Sequence, residues 1–417
     1  MSNKMIFLNM KIASVLLFVF LLFVPKISAD VNIFGEYAVS IDANTGEVLF
    51  GKNADVKAYP ASVTKVLTAL LLMEHLEEDD VITFSENAIH ETRSRSPLFF
   101  DVSETMKRDD ALMALMVVSA NDVAVAIAET IAGSEERFAE MMTERAHELG
   151  AYDSTFITAS GLHYPTHRTT AYDMALIGME AIQNEKILEA MSMEEVEVST
   201  SRQTRTIINR SDIFTDEDAI AGKTGFTTPA GHTLMKIDEV DGKRVINVVF
   251  KSNPHYIYND IKTVSNLGIS MIENEVVIDE KNTVETLNFL DQNITLFPEK
   301  TVQLTKMKDV DSPYQLIFKP TMQKTEEFAE ELIEYGLKSG TKLGEMTVKY
   351  NHREIDVIDM VTVEDYAFEK QAIIPFSLKI GVAVLLPFLA FIGYIVFLCF
   401  KKLKAKTQRS NAVKVAR

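Results

Sequence analysis

Apolar residues recur every second position in some stretches of the chain and every third or fourth in others, and an unbroken apolar run lies near each end. Residues 36–50 alternate through Tyr37, Val39 and Ile41, then Val48 and Phe50, around Asp42-Ala43-Asn44-Thr45-Gly46, which predicts a β-hairpin. From Ser62 or Thr64 to Leu76, Val66, Leu67, Leu70, Leu71 and Met73 fall at helical spacing and nearly all round, the pattern of a buried helix. Helical spacing continues over 109–118, breaks at Ser119-Ala120-Asn121-Asp122, and resumes over 123–131 before Gly133. Helices are also predicted over 136–149 and 170–182, and strand alternation returns over 232–240 and 244–251 across Asp241-Gly242. Strands at both ends with helices between them predict an α+β arrangement: an antiparallel sheet closed by both ends of the chain, with a helical layer. Beyond about Glu273 the pieces shorten (302–304, 315–319, 345–350, 354–363), which predicts a small C-terminal β domain; 324–335 is helical by composition, and its state stays open.

The two apolar runs address the chain to a membrane. Lys4 and Lys11 precede an apolar run over 12–24, then Pro25 and the small-residue site Ile27-Ser28-Ala29, which reads as a signal peptide over 1–29. The second run, 380–400, is about 21 residues without a charge, long enough to cross a bilayer as a helix. Seven Lys and Arg and no acidic residue follow it, so the positive-inside bias puts the tail, 401–417, in the cytoplasm. The expected organisation is a domain over 30–272, a β-rich domain over 273–368, a linker over 369–379, one transmembrane helix and the basic tail. Everything between signal and helix then faces the outside of a bacterial cell membrane.

Composition removes several classes of function. With 60 Asp and Glu against 42 Lys and Arg, the net charge of -18 opposes a phosphate backbone, so nucleic acid is not an expected partner. The only cysteine, Cys399, lies inside the second run, which leaves no disulfide and no thiol chemistry outside, and for an exported chain favours a bacterial source. Gly222-Lys223-Thr224 lacks the earlier glycine of a phosphate loop, since position 217 is Glu217. His163 and His167 flank Pro165 in a polar loop without a His-Glu-x-x-His helix, so neither a metal nor a cofactor is expected.

Three short motifs carry the chemistry. Ser62-Val63-Thr64-Lys65 opens the buried helix, where residues three apart share a face; a serine hydroxyl needs a base, and a lysine held among apolar groups or beside another cation can serve as one. Ser119-Ala120-Asn121 places a hydroxyl and an amide between two helices, and Lys223-Thr224-Gly225 starts a strand where glycine lets a ligand approach. Each alone is explained by a cap, a turn or a strand-edge lysine. Together and in this order they point to a nucleophilic serine enzyme.

The set resembles the active-site serine penicillin-recognising enzymes, whose β-lactamase/transpeptidase-like fold is the one expected here. Within them it is most similar to the low-molecular-mass penicillin-binding proteins that act as D-alanyl-D-alanine carboxypeptidases. The likeness extends through Pro60-Ala61, Asp122, Ser160-Gly161-Leu162, His167, Thr170-Ala171-Tyr172-Asp173, Phe226-Thr227 and Ala230-Gly231, covers about 34–272, and extends more loosely to 340–363. The resemblance implies Ser62 as nucleophile, Lys65 as general base and Ser119 as proton donor to the leaving amine. It further implies Asn121 on the substrate amide, Lys223 as a positive potential that helps keep Lys65 neutral, Thr224 on the terminal carboxylate, and Gly225 and Phe226 beside the substrate. The oxyanion would lie on the backbone N–H groups of Ser62 and Phe226. Peptidoglycan stem pentapeptides are the implied substrate, and β-lactams the implied covalent inhibitors.

Two departures stand out. By count, Ile257 occupies the position where the family carries a carboxylate-binding arginine, and only Lys251 and His255 are nearby. Val102-Ser103-Glu104 has serine where the family favours glycine, a change expected to alter only a turn. A class A β-lactamase would need Glu-x-x-Leu-Asn between Asn121 and Lys223; Glu285-Thr286-Leu287-Asn288 is one residue short and falls after it. A D,D-endopeptidase of the same fold and an inactive membrane-anchored wall-binding protein are the alternatives.

Overall fold

The computed structural model describes residues 31–90, 98, 100–321 and 325–368. The expected signal peptide, linker, membrane helix and basic tail lie outside them; among the described residues no helix is long and apolar enough to cross a membrane.

Along the chain come β1 (Tyr37–Asp42), β2 (Val48–Lys52), α1 (Lys65–His75), β3 (Val81–Thr83), α2 (Glu86–His90) and β4 (Thr105–Lys107). Helices α3 (Arg108–Val117), α4 (Asn121–Ala132), α5 (Glu135–Glu148), α6 (Ala171–Ala181) and α7 (Glu185–Ser192) follow. Next are β5 (Glu195–Ser199), β6 (Thr204–Ile208), β7 (Ala219–Thr227), β8 (Gly231–Val240), β9 (Lys243–Ser252) and α8 (Ile257–Met271). Five strands form one sheet in the order β2-β1-β9-β8-β7, and the pairing of Tyr37 with Phe250 and Asp42 with Val245 joins the start of the chain to β9. This is the expected α+β arrangement, an antiparallel sheet closed by both ends of the chain.

Local chemistry explains the turns. The Asp42 carboxylate accepts from the N–H groups of Asn44 and Thr45, both at 2.8 Å, and Gly46 takes φ +76°, which closes β1 on β2. Asp241 and Gly242 are both left-handed, φ +52° and +76°, the geometry that matches the twist of the β8–β9 hairpin. Helix α1 is buried on every side over Lys65–Leu72, and its leucines sit in one apolar core with the inner faces of α3, α4 and α6 and of the sheet. Burial of a side chain such as Leu67 or Leu71 stabilises the fold by about 1.5–3 kcal/mol. Thr170 caps α6 by accepting from Asp173 N–H at 2.9 Å, while the Asp173 carboxylate takes the Ser154 hydroxyl at 2.7 Å; this pair ties down the loop ahead of the helix. Ser103 stands at φ +64°, a left-handed position that glycine would adopt without strain.

The chain divides into two compact units. The first takes everything described through Ile278 together with Thr301–Gln315 and Val348–Ile355; the second takes Asp279–Lys300, Leu316–Thr347 and the residues from Asp356. Strand β10 (Ile272–Ile278) therefore belongs with the first unit, where the sequence reading starts the C-terminal domain at 273. The remaining elements are β11 (Glu285–Phe289), β12 (Gln292–Pro298), β13 (Val302–Met307), β14 (Tyr314–Pro320), α9 (Glu326–Tyr335), β15 (Lys342–Tyr350) and β16 (Arg353–Thr362). β13 pairs with β10, and the other five strands form a sheet in the order β11-β12-β16-β15-β14.

Candidate active site

Three elements of the first unit bring the sequence motifs together. A short 3-10 turn, Ala61–Thr64, leads into α1 and places Ser62 ahead of Lys65. Lys65 is fully buried, and its Nζ has three neighbours: Ser62 Oγ at 3.1 Å, Asn121 Oδ1 at 2.7 Å and the Ser160 carbonyl at 2.6 Å. Burial holds this lysine well below its ordinary pKa, and the charge of Lys223 pushes the same way against the weaker pull of Asp122 and Glu135. A neutral amine has two N–H donors and one lone pair. The Asn121 and Ser160 oxygens take the donors, and the lone pair is left for the Ser62 hydroxyl.

The surroundings fix that geometry. The Ala159 N–H donates to Glu135 at 3.0 Å and its carbonyl takes the Thr68 hydroxyl at 2.6 Å, which presents the next carbonyl, Ser160, to Lys65. Gly161, at φ +78°, lies so close that a Cβ would stand 1.9 Å from the Ala61 carbonyl oxygen. His167 is buried and neutral, its pKa pushed down to about 3, first by desolvation and then by His163 and Lys65. Its Nδ1 accepts from Ile157 N–H at 3.1 Å and Thr158 N–H at 3.3 Å, so Nε2 carries the proton and donates to Thr64 Oγ1 at 3.0 Å.

Ser119 lies between α3 and α4, and Asn121 is the first residue of α4 rather than part of the loop. Two non-glycine residues here are left-handed, Ala61 at φ +48° and Ser119 at φ +56°, a strain that collects at functional sites. The Ser119 hydroxyl is buried with no hydrogen-bond partner among the described residues.

Lys223, Thr224, Gly225 and Phe226 lie in the interior of β7, not at its start. Lys223 is buried, donates to the Thr224 carbonyl at 2.9 Å, and has its pKa lowered to about 7 by desolvation. Gly225 makes room for the protein itself, where the sequence reading gives that room to a ligand. A Cβ there would meet Thr233 Oγ1 at 2.5 Å and the Ser62 backbone nitrogen at 2.7 Å, so β7 runs directly against the serine's amide. Phe226 is exposed beside His232.

Ser62, Ser119, Lys223, Thr224, Gly225 and Phe226 all line one groove of about 850 Å³. Sequence reasoning missed one wall, which is strand β6 of the β5–β6 hairpin and the turn after it, including Arg205, Arg210 and Ser211. The alternation of Glu195 and Glu197 with Val196 and Val198 is a strand signal that was there to find. Ile257 and Tyr258 also line the groove, whereas Lys251 and His255 do not.

Over residues 25–253 the chain matches the peptidase S11 family, described as D-alanyl-D-alanine carboxypeptidase. The D-alanyl-D-alanine carboxypeptidase DacF of Bacillus subtilis is 31% identical over 255 residues, which span 59% of this chain and 65% of that protein. DacA of Haemophilus influenzae, of the same description, is 25% identical over 364 residues, 82% of this chain and 86% of that one. Among solved structures, a peptidoglycan synthesis regulatory factor (PBP3) of Streptococcus pneumoniae matches with a TM-score of 0.63 at 22% identity, over 80% of this chain and all of that one, which shows the shared fold.

Proposed function

The chain belongs to the D-alanyl-D-alanine carboxypeptidase family, and on that premise we propose that it is a serine-type hydrolase that removes the terminal D-alanine from peptidoglycan pentapeptides. The observation that carries this reading is the Lys65 amine, buried, held toward the neutral form, and 3.1 Å from Ser62 Oγ. In the proposed first step neutral Lys65 takes the Ser62 proton as Oγ attacks the carbonyl carbon of the penultimate residue. The oxygen of the tetrahedral intermediate takes hydrogen bonds from the N–H groups of Ser62 and Phe226, a preorganised pair of the kind worth about 3 kcal/mol per donor.

Collapse of the intermediate breaks the C–N bond. The proton held on Lys65 reaches the leaving amine through the Ser119 hydroxyl, whose lack of a partner among the described residues suits a relay. D-Alanine departs, and water attacks the Ser62 ester with the same groups acting in reverse. Asn121 orients Lys65 and the substrate amide, and Lys223 supplies the field that keeps Lys65 neutral. The same reading makes 1–29 an export signal and 380–400 an anchor that holds the catalytic unit outside the membrane.

A penicillin presents a strained amide to the same nucleophile. Incubating the full chain with benzylpenicillin is expected to add one acyl group per chain, on the peptide that contains Ser62, and none in Ser62→Ala. An unmodified wild-type chain in the intact mass spectrum, or an adduct that survives in Ser62→Ala, contradicts the mechanism.

A further inference from the structure

A hydrolase that removes one C-terminal residue must recognise a free carboxylate, yet the position at which its family carries an arginine holds the buried Ile257. Neither neighbour fills the gap: Lys251 is paired with Glu36 at 2.8 Å, and His255 does not line the groove. Among the described residues three cationic side chains do line it: Lys223, Arg205 and Arg210. Lys223 already spends a donor on the Thr224 carbonyl, and Arg205 Nε donates to Gln203 Oε1 at 2.6 Å. Arg210 is exposed and has no hydrogen bond or ion pair among the described residues.

Two further lining residues carry hydroxyls that are unused among the described residues. The Ser211 hydroxyl is buried without a partner among the described residues, while its backbone N–H donates to Asn209 Oδ1 at 3.0 Å and so fixes the turn that holds Arg210. The Thr224 hydroxyl is likewise without a partner among the described residues. No Asp or Glu is among the described residues that line the groove, although the chain as a whole carries a net charge of -18. A guanidinium and two hydroxyls without partners among the described residues, in one groove whose described lining carries no carboxylate, suit a small oxyanion. The guanidinium fork fits a carboxylate through two parallel N–H···O bonds.

We propose that Arg210, with the hydroxyls of Ser211 and Thr224, binds the terminal carboxylate of the substrate and replaces the arginine absent at position 257. The proposal rests on the D,D-carboxypeptidase reading, and its test separates the two. The full chain and its Arg210→Ala, Arg210→Lys and Arg205→Ala variants are assayed on an acyl-D-Ala-D-Ala peptide and on the same peptide with a C-terminal amide. Wild type is expected to prefer the free acid. Arg210→Ala lowers kcat/KM for the acid roughly ten- to a hundredfold, as loss of charge-assisted hydrogen bonds does, and affects the amide far less, so the preference collapses. Arg210→Lys keeps part of the preference, and Arg205→Ala keeps it whole.

A purely structural role for Arg210 would depress acid and amide together, and that result overturns the proposal. So does a preference that survives Arg210→Ala or that collapses in Arg205→Ala instead. If wild type cleaves neither peptide, the carboxypeptidase reading fails. Acylation by benzylpenicillin against its methyl ester then still decides Arg210, with loss of the acid's advantage in Arg210→Ala expected and its persistence contradictory.

Discussion

Replacing Lys65 by alanine is expected to slow acylation of Ser62 by about a thousandfold near neutral pH, the middle of the range for loss of a positioned general base. Replacement by arginine should be nearly as damaging. A protonated Lys65 would have three N–H donors for Ser62 Oγ, Asn121 Oδ1 and the Ser160 carbonyl, which leaves nothing to accept the serine's proton. Arginine keeps that charge at every accessible pH and so cannot become the acceptor.

The pH profile carries the same signature. Lys65 has its pKa depressed by burial and by Lys223, so the acylation rate rises with pH as Lys65 loses its proton. Removing the neighbouring charge with Lys223→Ala lets the pKa climb and moves that rising limb to higher pH. Rates of fluorescent-penicillin acylation across pH check both points. Wild-type speed in Lys65→Arg, or a limb that stays put in Lys223→Ala, would be incompatible with Lys65 as the base.

The second large effect is expected at Gly161, where alanine should lower the acylation rate on the order of a hundredfold, the usual consequence of about 1 Å of displacement at a reacting group. The added Cβ would fall 1.9 Å from the Ala61 oxygen, 2.6 Å from the Ala61 carbonyl carbon and 2.8 Å from Thr64 Oγ1, so either the Ser160 loop or the nucleophile turn must move. All three contacts are with backbone or with a hydroxyl held by His167, and none yields easily. Gly161 also sits at φ +78°, where alanine adds strain; with overpacking, the loss of stability should be about 2–4 kcal/mol. Acylation kinetics and a thermal melt on the same sample test this. A variant that reacts and melts like wild type would mean that the loop does not fix the serine.

Much of this site was legible because its parts are local. The Ser62–Lys65 spacing places two side chains on one face of a buried turn, and the break between two helical patterns marked Ser119 and Asn121. The strand pattern put Lys223 on the sheet, although its motif proved interior to β7. Other features depend on contacts between distant positions that no periodicity reports. The room made by Gly225 serves Thr233 and the Ser62 amide, which only the packed turn reveals. The spacing of His163 and His167 shows only that two imidazoles are near; the structure uses both ring nitrogens of His167 on Thr64 and two backbone amides. Arg210 stayed hidden because its hairpin reads as an ordinary polar strand pair until it is seen to wall the groove. Ser103 shows the reverse case, a residue marked by sequence as a change in a turn and found there in the left-handed backbone that glycine would favour.

The most direct test is mass analysis of a purified pentapeptide muropeptide incubated with the full chain, with Ser62→Ala in parallel. Loss of a single alanine with wild type and none with the variant is the result predicted for a serine D-alanyl-D-alanine carboxypeptidase. A pentapeptide left intact while cross-linked dimers are cleaved would contradict it and assign this groove to an endopeptidase.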